Sequence, residues 1–281
     1  MNTQPSDTSK RLLPAGSAEV RSWMPPVCLA GHVLSLAQDV AELETCLHLE
    51  RSAPRTSTLF GVDSEGIESP SAIPYCDFLM LREAGGDLAG VCRLLAHGSD
   101  IPVHNSLASR RFHLSPLVTA IRYSRLDMVE VGPLVVRSDR RPESVISLLW
   151  EGILRYMDRN GSAILLGRER MPLDVQGGVI PQLLSAHGLH PDLEVEAREA
   201  YRAHPLAVDS PALARLPPNS PVLPASFQEA LRRGCRLACE PVLAADRHCL
   251  ELVWVANREM LDTGADWRRP AGYGVARSPA A

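Results

Sequence analysis

The stretch that decides the fold runs from Val129 to Asn160 and reads VEVGPLVVRSDRRPESVISLLWEGILRYMDRN. Its first part, Val129–Val136, is a nearly continuous apolar run that predicts a buried strand. Its last part, Glu143–Arg159, carries apolar residues at helical spacing. Helix N-termini leave backbone N–H groups unpaired and carry partial positive charge. A strand that leads into a helix through a tight basic turn therefore predicts a phosphate site.

The turn between strand and helix contains three arginines and no glycine. An anion there would be held by Arg140 and Arg141 together with the helix N-terminal amides around Ser144 and Val145. The alternative is that the arginines form an ordinary solvated surface beside a helix start.

Strand and helix patterns alternate on both sides of this stretch. The predicted elements are a strand at Val27–Gly31, a helix at Ser35–Arg51, a hairpin of Asp77–Arg82 with Leu88–Ala96, a strand at Ser162–Gly167, a helix at Phe227–Arg233 and a last strand at Leu250–Ala256. Ser52–Pro74, rich in Ser, Pro and Gly, predicts a long connection that is either mobile or a binding loop. The whole indicates a mixed sheet with a few helices, of the α/β or α+β class.

Composition limits the class of protein. The chain has 281 residues, 45% hydrophobic content and a formal charge of -4, which suits a globular protein and disfavours a nucleic-acid partner. No apolar run approaches the ~20 residues of a membrane span. Seven cysteines at irregular spacing indicate neither a disulfide framework nor a zinc site, and favour a reducing cytoplasm. Residues 1–25 and 264–281 are expected to be mobile tails of one domain, residues 26–263.

Glu130 is the first candidate for chemistry because it interrupts the apolar strand VEVGPLVV. Burying a charged carboxylate costs several kcal/mol unless it is paired or its pKa rises, and a raised pKa makes a general base for an ammonium substrate. The alternative is that Glu130 points outward from a half-exposed strand. Pro133 removes a backbone N–H from the same strand, which predicts an edge or a bulge at Gly132–Pro133.

The order of several segments resembles that of bacterial ornithine–acyl-carrier-protein N-acyltransferases, which belong to the GNAT superfamily. The segments are Tyr75–Leu95, Phe112–Val118, Val129–Asn160, Arg232–His248 and Leu250–Val255, and the resemblance spans about Val27 to Asp262. It implies a GNAT-like fold and acyl transfer from a phosphopantetheine thioester to a primary amine. Autoinducer synthases share the fold and the acyl-carrier donor.

The resemblance also implies roles for the central strand. The family strand reads Glu-Leu-Gly-Arg, and its glutamate, here Glu130, is thought to accept or position the amine. In the superfamily this strand splays from its neighbour at a bulge, here near Gly132, to admit the pantetheine arm, and a nearby amide polarises the thioester carbonyl. Glu130 and Gly132 are therefore the expected catalytic positions. Pro133 stands where the family has an arginine.

A turn without glycine suits one phosphodiester better than a pyrophosphate, which favours an acyl carrier protein over free coenzyme A as donor. The arginines could also face the acidic surface of a carrier protein. The expected donor-binding residues are Val135, Arg137, Arg140, Arg141, Ser144 and Val145.

Three positions are expected on the acceptor side or in its scaffold. Asp77 and Arg93 match the family and could form a cross-strand ion pair, whose alternative role is purely structural. Asp246 matches an Asp-Arg near the acceptor site and could equally serve turn chemistry. Leu47–Arg51 and Phe78 depart from the family pattern, which weakens the assignment of ornithine.

The resulting hypothesis is an N-acyltransferase that moves a long-chain acyl group from acyl-carrier protein or coenzyme A to the amine of an amino acid such as ornithine. It needs no metal and no permanently bound cofactor, because the acyl thioester is a co-substrate. A cytoplasmic location, free or peripheral to the membrane, is expected. The alternatives are an acyl-homoserine-lactone-type synthase and a non-catalytic relative that binds acyl chains or carrier protein.

Overall fold

The computed structural model describes residues 24–52, 76–97, 106–124, 127–172, 190, 193–198, 223–239, 242–244 and 249–263. Nine of the described strands form one sheet: β1 (Val27–Leu29), β2 (His32–Leu36), β3 (Asp77–Glu83), β4 (Leu88–His97), β6 (Asp127–Val136), β7 (Ser162–Pro172), β9 (Arg236–Leu237), β10 (Val242–Ala244) and β11 (Cys249–Asn257). Their order is β1-β2-β3-β4-β6-β7-β11-β10, with β9 paired to β11. A separate pair consists of β5 (Phe112–His113) and β8 (Glu196–Ala197).

The described helices are α1 (Val40–Ser52), α2 (Ser115–Ser124), α3 (Pro142–Asn160), α4 (Ala225–Arg232) and α5 (Arg258–Thr263), with a 3₁₀ helix at Leu107–Arg110. β6 and β7 are parallel, whereas the other described pairs are antiparallel. The parallel pair follows from the chain order, because α3 forms the crossover between these two strands.

The two faces of the sheet are covered by different elements. On one face, α3 and α4 bury Leu149, Trp150 and Phe227 against strand residues such as Leu79 and Leu165. The other face has two clusters. Leu43, Cys46 and Leu47 of α1 pack on β3 and β4, while Phe112 and Leu117 pack on β7 and β11. The sheet is therefore buried on both sides, which explains the apolar runs in its central strands.

Gly167 permits the closest packing on the α3 side. A Cβ atom at this position would lie 2.0 Å from Cζ2 of Trp254, well inside any real contact. The Trp254 ring in turn packs against that of Trp150 of α3, with ring centroids 5.6 Å apart. The strand-helix interface thus depends on a missing side chain in β7.

The predicted α/β class, with a mixed sheet flanked by helices, is confirmed. The predicted hairpin, the strand before α3, α3 itself, α4 and the last strand are present with bounds shifted by a few residues. The N-terminal prediction was incomplete, because β2 occupies His32–Leu36 and the helix begins only at Val40. Ala30 and Gly31, with φ of 47° and 79°, form the tight turn between β1 and β2.

Strand β7 also differs from its prediction. It was expected to end at Gly167 but continues to Pro172, through the charged sequence Arg168, Glu169 and Arg170. Pairing with β11 explains the extension, because backbone hydrogen bonds run along the whole strand regardless of side-chain polarity.

Six cysteines are free thiols, namely Cys28, Cys46, Cys76, Cys92, Cys235 and Cys239. No helix in the described ranges is long and apolar enough to cross a membrane. The predicted tails and the predicted connection at Ser52–Pro74 lie, except at their edges, outside the described residues.

Candidate active site

A gap opens between β6 and β7 in the middle of the sheet. The two strands pair in parallel only as far as Val131 and Gly167. Beyond that point β6 continues with β4 as its partner, and β7 continues with β11. The strands therefore diverge, as the resemblance implied, and leave an opening lined by backbone.

A bulge in β6 marks the start of the gap. Cys92 pairs with Leu134, and Leu94 pairs with Val131, so Arg93 alone faces two residues of β6, Gly132 and Pro133. The predicted bulge is confirmed. Proline fits there because its missing N–H costs no ladder hydrogen bond at an unpaired position.

The backbone of β6 after the bulge presents polar groups to the gap. The N–H of Arg137 donates to the carbonyl of Ala89 at 2.9 Å, on the β4 side. Backbone N–H and C=O groups of successive strand residues point to opposite sides of the strand. Those of Val135 therefore also point to β4, while those of Leu134 and Val136 point to the gap. The expectation for Val135 is corrected: its side chain packs in the α1 cluster and its backbone faces away from the gap.

The gap leads toward the N-terminus of α3. Arg141 is the N-cap and makes no side-chain capping bond, and Pro142 occupies the first turn. The Ser144 hydroxyl donates to the Arg141 carbonyl at 3.1 Å, while the Val145 side chain is buried in the α3 cluster. The Arg141 side chain therefore does not cap the amides of the first turn, where the sequence predicts a phosphate.

The arginines of the turn are engaged with carboxylates that the sequence analysis did not foresee. Arg140 forms a bidentate pair with Glu83, with Nη2 to Oε2 at 2.9 Å, and also contacts Asp139. Arg137 lies 2.7 Å from Asp139 and 3.6 Å from Glu83. These pairs lower the pKa of Glu83, chiefly through Arg140, and that of Asp139, chiefly through Arg137.

Arg141 is exposed and is the one arginine of this turn that forms no ion pair with the described residues. Arg137 and Arg140 are paired with Glu83 at the end of β3 and with Asp139 of the turn itself, and their expected role in phosphate binding stays a prediction. Main-chain amides and Arg141 are the groups placed to meet an anion.

Glu130 is 1% exposed and lies on the sheet face opposite α3. Its Oε1 accepts the backbone N–H of Ala108 at 2.8 Å, and its Oε2 lies 3.2 Å from Nε2 of His97. The alternative that Glu130 faces solvent is excluded. Glu130 directly precedes Val131, the last residue of β6 that pairs with β7, and its side chain lies on the sheet face opposite α3.

Sequence reasoning missed His97, because it ends an apolar strand and no motif surrounds it. It is 2% exposed, and its Nδ1 has no hydrogen-bond partner within the described ranges. His97 is brought beside Glu130 by the pairing of β4 with β6, which is seen in the structure and not in the sequence.

The expected Asp77–Arg93 pair is wrong. Arg93 stands opposite Phe78 in the β3–β4 register, so Asp77 and Arg93 point to opposite faces. Asp77 accepts the Tyr156 hydroxyl at 2.6 Å on the α3 side. Arg93 pairs with Glu50 of α1 at 2.5 Å and lies over the Phe78 ring. Both residues are scaffold contacts between the sheet and its helices.

Asp246 lies outside the described residues. His190 is buried, and its Nδ1 accepts the Leu193 N–H at 3.0 Å, which is a local structural role.

Residues 63–151, about a third of the chain, match the family model described as an acetyltransferase (GNAT) domain. The matched segment contains β3, β4, β6, Glu130, the bulge and the start of α3. Together with the described fold, this match confirms the predicted GNAT-like fold and the predicted class of enzyme, an N-acyltransferase. A comparison with curated protein sequences finds no match.

Several solved structures are similar to the chain. FeeM, an N-acyl amino acid synthase from uncultured soil microbes, has a TM-score of 0.47 at 11% identity, covering 86% of this chain and 97% of that chain. Agmatine N-acetyltransferase in an apo form has a TM-score of 0.40 at 14% identity, covering 80% and 99%. The polyamine N-acetyltransferase of Drosophila melanogaster has a TM-score of 0.39 at 14% identity, covering 80% and 99%.

Proposed function

We propose that the protein transfers a long-chain acyl group from the phosphopantetheine thioester of an acyl carrier protein, or of coenzyme A, to the primary amine of an amino acid such as ornithine. The observation that carries the proposal is the alignment of three features: the gap after Val131, the backbone groups of Leu134 and Val136, and the uncapped N-terminus of α3. An extended thioester arm could hydrogen-bond along β6 and end with its phosphate at the helix.

The residues suit direct attack by the amine. Glu130, or a water molecule held by it, takes a proton from the ammonium group on the face opposite α3. The amine then attacks the thioester carbonyl in the gap, and the thiolate leaves. The N–H of Leu134, which faces the gap, is available to the developing oxyanion even though Pro133 has none.

The charge of the turn supports a donor with a single phosphodiester. Two of its three arginines are matched by Glu83 and Asp139, so little free positive charge is left for a pyrophosphate. We propose acyl carrier protein as the physiological donor on this ground. A cytoplasmic enzyme, in peripheral contact with the membrane into which the product partitions, completes the proposal.

The proposal is tested by mass spectrometry of lipids from cells that express the parent chain, Glu130→Gln or Glu42→Gln. New N-acylated amino acids are expected with the parent and with Glu42→Gln, a glutamate of α1 outside the gap. Glu130→Gln should lower their amount by about 10²-fold or more.

If the same extracts contain acyl-homoserine lactone instead of N-acylated amino acids, the protein is an autoinducer-type synthase and the amino acid acceptor is wrong. An extract of the parent without any new N-acylated amine would contradict the proposal. The donor is decided separately, by comparing kcat/KM of the purified protein for the same acyl group on carrier protein and on coenzyme A.

A further inference from the structure

A second buried glutamate lies across the gap from the bulge. Val131 of β6 and Gly167 of β7 are the last residues that pair in parallel. Glu169 comes two residues after Gly167, and Pro133 comes two residues after Val131. Side chains alternate along β7, so Glu169 shares the α3 face with Leu165, opposite to the face of Glu130. The two glutamates therefore flank the start of the gap from its two sides.

Glu169 is 1% exposed and has neutral partners. Its Oε2 accepts the Ser226 hydroxyl of α4 at 2.8 Å, and its Oε1 accepts the Arg170 N–H at 3.3 Å. The Arg170 guanidinium pairs with Glu251 on the opposite face, at 2.8 Å. No guanidinium or ammonium group in the described part of the chain forms an ion pair with Glu169.

The charged residues of α4 and its C-cap pair with one another. On α4, Glu229 pairs with Arg232 and Arg233. On β11, the residue opposite Glu169 is the apolar Leu252. Burial therefore dominates and raises the pKa of Glu169 well above its usual range, against the smaller effects of Ser226 and Arg170. Compared with an ordinary glutamate, this carboxyl group is therefore shifted toward its protonated form.

We propose that Glu169 is the general acid of the acyl transfer and gives its proton to the sulfur of the departing pantetheine thiol. The inference rests on the proposed function and adds to it a residue that no family motif marked. It rests on position, since Pro133 and Glu169 each lie two residues beyond the last parallel pair, on the two strands that border the gap.

The proton balance is simple. Glu130 first takes one proton from the ammonium group and passes it to water. The neutral amine nitrogen then forms a bond to the carbonyl carbon and loses a second proton to Glu130. The carbon–sulfur bond breaks, its electron pair goes to sulfur, and sulfur takes the proton of Glu169. The products are an amide and a neutral thiol, and proton exchange with water restores both carboxyl groups. The arrangement separates acid and base across the sheet, so that neither neutralises the other.

The test varies the leaving group. The purified parent, Glu169→Gln and the control Glu229→Gln are assayed with decanoyl-coenzyme A and with the phenyl thioester of decanoic acid, using the acceptor amine found in the lipid experiment. A phenyl thiolate leaves without a proton, whereas an alkyl thiolate benefits from one. Glu169→Gln should lose about 10²-fold in kcat/KM with the coenzyme A thioester and less than about threefold with the phenyl thioester.

Glu229→Gln should keep the parental ratio between the two donors, because the Glu229 carboxylate is paired with Arg232 and Arg233. Equal losses with both donors, or no loss, in Glu169→Gln would overturn the assignment. If that variant does not fold by circular dichroism, Glu169→Asp takes its place, with the same selective loss expected because its acid is one methylene shorter.

An infrared measurement separates this proposal from the proposed function. Difference spectra at about pH 7 between the parent and Glu169→Gln should contain the C=O stretch of a protonated carboxyl. Its absence would overturn the role of Glu169 even if acyl transfer is found. An inactive parent would overturn the proposed function instead.

Discussion

Three buried glutamates illustrate how local surroundings decide the chemistry of one residue type. Glu50 is neutralised by the guanidinium of Arg93, which makes it a structural contact. Glu130 is held by the Ala108 amide and by His97 beside the gap. Glu169 receives a hydroxyl and an amide only, and burial raises its pKa. Of the three, the sequence pattern predicted only Glu130 as a site residue, because the apolar residues on both sides of it indicate a buried strand. Glu169 stands between Arg168 and Arg170, a pattern that indicates an exposed segment.

The raised pKa of Glu169 makes stability depend on pH. The unfolded chain loses this proton near the ordinary value of 4.5, while the native state keeps it to higher pH. The native state therefore binds more protons above that value, and the free energy of unfolding falls as pH rises toward the native pKa. The lowered pKa values of Glu83 and Asp139 act with opposite sign and below this window.

We expect Glu169→Gln to remove this decrease of the free energy of unfolding with rising pH, because glutamine does not titrate. Between about pH 5 and pH 8 its free energy of unfolding should decline less than that of the parent, with a relative gain on the order of 1 kcal/mol at the upper end. Urea titrations across this range measure the effect. Parallel curves for the two proteins would contradict the prediction, and Glu229→Gln serves as the control.

At the scale of elements, helix α1 forms two ion pairs with the sheet, one buried and one partly exposed. Glu50 and Arg93 are 2% and 1% exposed, whereas Glu42 and Arg82 are 31% and 25% exposed at 3.5 Å. A buried charge that loses its partner keeps its full desolvation cost, while an exposed pair gains little over water. The same substitution should therefore have unequal effects at the two ends of one helix.

Glu50→Gln is expected to lower the free energy of unfolding by about 3–5 kcal/mol, and Glu42→Gln by less than about 1 kcal/mol. Chemical denaturation of both variants measures the difference. The prediction fails if the two losses are equal.

Much of the element level was predictable. The strand before α3, α3 itself and the β3–β4 hairpin follow from local periodicity and from the Ala-Gly-Gly turn. The end of β7 was not predictable, because charged residues hid a strand that only its partner β11 reveals. The β3–β4 register likewise decided that Asp77 and Arg93 point to opposite faces, and one residue of shift would have reversed this result.

At the scale of the molecule, the sheet separates the two halves of the proposed reaction. The α3 side holds the helix N-terminus and Glu169, and the other side holds Glu130. Donor and acceptor would thus approach the gap from different faces. This separation depends on the parallel β6–β7 pair near the centre of the strand order.

Donor binding should therefore protect a defined part of the chain from amide hydrogen exchange. With saturating decanoyl-coenzyme A and no acceptor, slower exchange is expected for Leu134–Val145 and for Arg168–Pro172, which border the gap. The β1–β2 hairpin at the sheet edge provides an internal control and should not change. Protection spread evenly over the sheet, or absent at Leu134–Val145, would contradict the assignment of the donor side.

By itself the sequence determined the class of fold, the strand, turn and helix of Val129–Asn160, the bulge at Pro133 and the candidate base Glu130. Each of these is written in local periodicity or in the covalent chemistry of a single residue, such as the missing N–H of proline. Only the tertiary structure decided which arginines carboxylates already occupy, that Asp77 and Arg93 do not meet, and that Glu169 lies buried across the gap. Such contacts join residues far apart in the chain, and strand register and burial, which local sequence does not specify, decide them.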